Sequence, residues 1–273
     1  MIPETKSNYS DTTGGARKQI LFSWQALVAA FLLLTRLPMP GRFQPPEPSP
    51  DVHSRAVLFY PLVGAVIGGL MVLLYVAMPD KIGVTVQATL LVGLWVWLTG
   101  ALHLDGLTDS VDALAAAHKD PTRAHAVLKD PHIGTMGVCA LVMVLLLKLA
   151  LLRTALETGS FYWALLAAPI GARLLAQIYM LTTPYARAEG IASHINLRPY
   201  QAIIIGLALI ALVITMWMMG RLAGTALIVA LALWLVHWQG RWWRLVGGYT
   251  GDTVGALIEV AEVLILLLIV LSW

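Results

Sequence analysis

Charge is what this sequence has least of. Only 12% of its 273 residues are Asp, Glu, Lys or Arg, about half the share of an ordinary soluble domain. Hydrophobic residues make up 59% and the mean hydropathy is +0.78. That balance excludes a soluble globular domain and predicts a polytopic, all-α membrane protein embedded in a lipid bilayer. The net charge of +3 is small, and the basic residues sit in loops without interleaved aromatics, which gives no nucleic-acid signal. One cysteine, Cys139, excludes an internal disulfide. No internal repeat is visible, which argues against a transporter built from two symmetric halves. His103, His118, His125 and His132 match no zinc spacing, and no Ser, Cys or Lys stands out as an activated nucleophile. No small-residue cleavage site follows the first basic residues. Residues 1–19 are therefore expected to be a disordered cytoplasmic tail, and 20–273 a single helical membrane domain with cytoplasmic catalytic loops.

What the sequence does have is long apolar runs, at 20–35, 56–78, 84–102, 138–157, 161–181, 202–219, 222–239 and 254–273. All but the first approach the roughly 20 residues needed to span a bilayer. If only the last seven cross, one side collects Arg36, Arg42, Arg55, Lys119, Arg123, Lys129, Arg187, Arg198, Arg241, Arg244 and the tail, against Lys81 and Arg221 opposite. The positive-inside rule then places the long loops in the cytoplasm of a cell (inner) membrane. About seven spanning helices are expected, with a short re-entrant or interfacial helix before them. Residues 36–55 are Pro-rich and cannot be helical throughout.

The chemistry concentrates in four stretches. In HLDGLTDSVDA, Asp105, Asp109 and Asp112 are spaced i, i+4, i+7, which puts three carboxylates on one stripe of a helix. Either this is a solvated acidic face, or a hard divalent cation such as magnesium sits among them. His103 falls about 160° away on an ideal helix and is a candidate catalytic base. In GGYTGDTVGALIEVAE, Asp252 lies where an N-cap would fall. Glu259 and Glu262 lie inside an apolar run, where they either ligate a metal or pair with Arg173 or Lys148. In KDPHIGTMG, Lys129, Gly134 and Gly137 precede a helix in the manner of an anion cradle. In YARAEG, Arg187 offers a bidentate phosphate contact, and Arg173, inside its own apolar run, needs an anionic partner. Together these suit a metal-dependent phosphoryl or nucleotidyl transfer at the cytoplasmic face.

LTRLP (34–38), FYPLVGAVIG (59–68), HLDGLTDSVDA (103–113), LKDPHIGTMG (128–137), YARAEG (185–190) and GYTGDTVGALIEVAE (248–262) resemble, in order, the motifs of the cobalamin synthase family, the adenosylcobinamide-GDP ribazoletransferases. The resemblance implies a multi-pass membrane transferase using Mg²⁺. It would join α-ribazole, or its 5′-phosphate, to adenosylcobinamide-GDP, giving adenosylcobalamin and GMP in the last step of nucleotide loop assembly. It further implies that Asp105, Asp109 and Asp112 bind magnesium, that Asp252 and Glu259 belong to a second acidic motif, and that Arg187 is the family's loop arginine. Ala113 and Pro131 depart from the family pattern. A CDP-alcohol phosphotransferase also strings aspartates along a helix, but its DGxxAR pattern is missing after Gly106. A cation- or proton-coupled transporter relaying through Glu259, Glu262 and Arg173 is the alternative from another class. The sequence leaves a homo-oligomer open.

Overall fold

The structure, a computed structural model, describes residues 24–38, 49–79, 81–187 and 190–273. The expected tail, 1–19, and half of the Pro-rich connector, 39–48, lie outside the described residues. Those described form α1 (Trp24–Leu34), α2 (Pro50–Leu58), α3 (Tyr60–Ala77), α4 (Val84–Thr99), α5 (Leu102–Lys119), the single turn α6 (Ala124–Val127), α7 (Thr135–Thr158), α8 (Phe161–Thr182), α9 (Gln201–Val246) and α10 (Gly251–Ser272). The all-α expectation holds.

At 46 residues α9 would be about 69 Å long as one helix, roughly twice the hydrocarbon thickness. Gly220 breaks it, with φ 76° and ψ 169°. A Cβ on Gly224 would lie 3.1 Å from the Met216 Cα, so the two arms fold back on one another. α3, α7, α8, α10 and the two arms of α9 are long and apolar enough to cross a membrane, and the α4–α5 pair adds one more if it is a single broken span; the expected spanning run at 84–102 is not one helix but breaks after Thr99. α4 and α5 meet at 86°, where Gly100 and Ala101 both adopt left-handed backbone. α1 is too short to span. It buries Ala26, Ala30 and Leu34 against the rest of the molecule.

The bundle is centred on α8 and α10, whose apolar stretches are largely buried, whereas α9 buries few of its residues and presents most of its side chains outward. Trp217, Leu222 and Leu233 are among those exposed, as lipid contact requires. Small residues let the central helices touch. Gly64 and Gly68 of α3, four apart, lie on the carbonyls of Pro169 and Leu165 of α8, the close approach that small-xxx-small spacing permits. Pro169 lacks the amide that would bond the Leu165 carbonyl, and that carbonyl is the one facing Gly68.

Candidate active site

The spacing that predicts a helix through the first acidic motif does give α5. It passes antiparallel to the start of α10. Gly106 lies on the Asp252 backbone and Gly255 on that of His103, with no room for a Cβ at Gly106. The glycines thus bring the two acidic motifs together. Asp105 is exposed, and Asp109 and Asp112 are half-buried.

Asp112 does something the sequence did not suggest. Its carboxylate accepts the amides of Gly134 at 2.7 Å and Gly137 at 2.8 Å, so the free amides offered by the Gly-rich turn are taken by this side chain. Gly134 is the N-cap of α7 and provides no side-chain cap of its own; Asp112 supplies the oxygens from another helix. A Cβ on either glycine would strike that carboxylate. This corrects the reading of Gly134 and Gly137 as a phosphate cradle. Lys129 is exposed on the same loop.

The N-cap of α10 is Thr250, in a reciprocal capping box with Thr253, and not Asp252. Asp252 is therefore free to meet Arg187, Nη2 to Oδ2, at 2.8 Å, and the same guanidinium nitrogen donates to the Leu128 carbonyl at 3.3 Å. An isolated parallel bridge between Tyr185 and Tyr249 positions the pair. The Ala186 amide donates to the Tyr249 carbonyl, and the Tyr249 amide to the Pro184 carbonyl, each at 2.9 Å.

Asp109 lies about one turn further along α5 than Gly106. Asp105, Asp252 and Asp112 act on its carboxylate as like charges, with Arg187 opposing. The acidic motifs therefore share one electrostatic field.

Glu259 and Glu262 belong elsewhere, and with Arg173 they correct a second expectation. Lys148 Nζ lies 2.7 Å from Glu259 Oε2 and 2.6 Å from Glu262 Oε2, and Arg173 Nη1 lies 2.8 Å from Glu262 Oε1. All four side chains are buried. Two cations against two anions make a neutral quartet joining α7, α8 and α10, and the Lys148 ammonium also sits 4.5 Å over the Trp95 ring of α4. The ion pair left open by the sequence is what forms, so these glutamates are not gathered with the aspartates.

Between α1, α5, the 185–195 loop and α10 lies a cavity of about 350 Å³. Asp105, Asp252, Arg187 and His103 line it, facing an apolar and aromatic wall that includes Leu34, Tyr60, Tyr185, Tyr249 and Ile195. Sequence reasoning missed that wall, although FYP, YAR and GYTGD contain its three tyrosines. His103 is buried, and neither ring nitrogen has a hydrogen-bond partner among the described residues.

Among the described residues no three of His, Cys, Asp or Glu converge enough to hold a metal ion by themselves. Magnesium seldom needs that, because it keeps waters and takes one or two protein carboxylates together with substrate phosphates. Asp105, Asp109 and Asp252, with only Arg187 among the causes lowering Asp109, have the excess of hard negative charge that suits it.

Fold and site together define a polytopic helical membrane protein with an acid-lined pocket, bearing one arginine, at one end of its bundle. Residues 26–270 match the cobalamin-5-phosphate synthase family, and the chain belongs to that family. It is 42% identical over 258 residues to a protein of Pseudomonas paraeruginosa, covering 90% of this chain and 98% of that one. It is 37% identical over 232 residues to one of Acinetobacter baumannii, covering 83% and 90%. Both relatives are named adenosylcobinamide-GDP ribazoletransferase. No solved structure matches the chain.

Proposed function

We propose that this protein transfers the cobinamide phosphate of adenosylcobinamide-GDP to α-ribazole or its 5′-phosphate. The hydroxyl oxygen of the riboside forms a bond to the cobinamide-side phosphorus, the pyrophosphate bond breaks, and GMP leaves with the bridging oxygen. The observation that carries this reading is the Asp252–Arg187 pair standing with Asp105 on one pocket, in a chain whose relatives bear that enzyme's name. Arg187 stands where a guanidinium can bind pyrophosphate oxygens. The bridge through Tyr249 and the α5–α10 glycine contacts hold it in register with the acids. Asp105 and Asp252 are the carboxylates on the pocket able to accept the hydroxyl proton, whereas the His103 ring nitrogens are enclosed. Asp105, Asp109 and Asp252 would hold magnesium, while Asp112 has both oxygens engaged by amides. Bound there, the metal would offset the charge that builds on the pyrophosphate.

The pocket opens at the end of the bundle where Arg36, Arg55, Arg123, Lys129, Arg187, Arg198 and Arg244 lie. Lys81, Arg153 and Arg221 lie toward the other end. By the positive-inside rule that supports a cytoplasmic site on an inner-membrane protein. The test is GMP release by purified full-length protein given adenosylcobinamide-GDP and α-ribazole, with magnesium or with excess chelator. Magnesium-dependent GMP together with a cobalamin product is expected. Folded, magnesium-supplied protein that releases no GMP overturns the proposal.

A further inference from the structure

We propose that the 350 Å³ cavity is the binding site of the riboside alone, its flat base held by Tyr60, Tyr185 and Tyr249 and its ribose turned toward Asp105 and Arg187, while the corrinoid and its GDP remain outside. The inference rests on the reaction proposed above and adds which substrate occupies which surface.

Size is the first argument. A cavity of about 350 Å³ lies at the low end of sites for small organic molecules. It suits a bicyclic base with one pentose, and a corrin macrocycle carrying a nucleotide is several times larger. Chemistry is the second. The polar side chains cluster, with Asp105, Asp252 and Arg187 gathered where α5 and α10 touch, and most of the remaining wall is aliphatic or aromatic. A guanine in that wall would leave its edge donors and acceptors unpaired, each a penalty of about 1–3 kcal/mol. A base with few edge donors and acceptors leaves fewer such groups unpaired and gains from aromatic contact. The acids and Arg187 at that contact place the attacking hydroxyl at the mouth, beside Asp105 and Arg187.

The test separates the two Michaelis constants. Ala192 and Ile195 line the cavity from the 185–195 loop and are only half-buried, so changes there perturb the core little. Ala192→Phe narrows the cavity, and the KM for α-ribazole should rise at least about tenfold with the KM for adenosylcobinamide-GDP nearly unchanged. Ile195→Ala widens it, and a riboside with a bulkier base should become a better substrate relative to α-ribazole than it is for the parent protein. Should Ala192→Phe fail to fold, the Ile195→Ala preference decides. A rise confined to the corrinoid KM, or an unaltered base preference in Ile195→Ala, overturns the assignment. An absence of GMP from the parent protein overturns instead the reaction beneath it.

Discussion

Asp112 on α5 and Gly137 on α7 are 25 residues apart, and the amide of the second donates to the carboxylate of the first at 2.8 Å. With the matching bond from Gly134, this one side chain ties the acidic helix to the start of a spanning helix. Asp112→Ala should lower the unfolding midpoint by the equivalent of about 1–2 kcal/mol, the usual worth of an N-cap. The loss should be the same in excess chelator, measured by thermal unfolding in detergent. A loss that appears only with magnesium would reassign Asp112 to the metal.

Arg187 bonds two partners at once, Asp252 and the Leu128 carbonyl. A lysine keeps the charge but not the planar fork. Arg187→Lys should reduce kcat/KM for GMP release at least about tenfold, corresponding to one charged hydrogen bond of about 1.5–3 kcal/mol. Activity within twofold of the parent would show that charge alone suffices.

The buried quartet predicts non-additivity. Lys148→Met leaves Glu259 and Glu262 with Arg173 as their only close cation among the described residues and should destabilise by about 3–5 kcal/mol. Adding Glu259→Gln restores neutrality around the Arg173–Glu262 pair, so the double variant should be more stable than Lys148→Met alone. Chemical unfolding in detergent reads the order, and strictly additive losses would contradict the quartet.

Asp109 stands among the like charges of Asp105, Asp112 and Asp252. Asp109→Asn removes one of them. With chelator present the variant should unfold at a higher temperature than the parent at pH 7.5, while GMP release is abolished. A variant that is less stable at pH 7.5 would contradict the shared acidic field.

Gly64 and Gly69 lie on one helix and differ only in what faces them. A methyl at Gly64 meets the Pro169 backbone, whereas nothing lies within 4 Å of one at Gly69. Gly64→Ala should weaken the α3–α8 contact and lower the detergent unfolding midpoint. Gly69→Ala should leave the midpoint unchanged or raise it slightly, by about 0.5–1 kcal/mol at most. Equal effects would mean that α3 does not pack on α8 through Gly64.

Periodicity made part of this legible. The i, i+4, i+7 aspartates, the apolar run lengths and the break before Leu222 each follow from the chain's own pitch, so α5, the membrane-length helices and the α9 hairpin could be read directly. Partners could not. Lys148 and Glu262 are 114 residues apart, and an apolar run states only that its charges need neutralising, without naming the neighbour. Asp252 shows the same limit at short range. Its position suits a cap, yet Thr250, two residues earlier, takes the amide, because Thr253 can answer Thr250 from the N3 position. The tyrosine wall was hidden because its residues come from three motifs that meet only through the Tyr185–Tyr249 bridge and the start of α3.

That bridge joins two loops by two backbone hydrogen bonds, and Arg187 and Asp252 follow it by two and three residues. Their spacing is thus governed by main chain rather than by long side chains searching for one another. The alignment of cation and acid is settled when the chain folds, before any substrate arrives, so little ordering remains to oppose the chemical step.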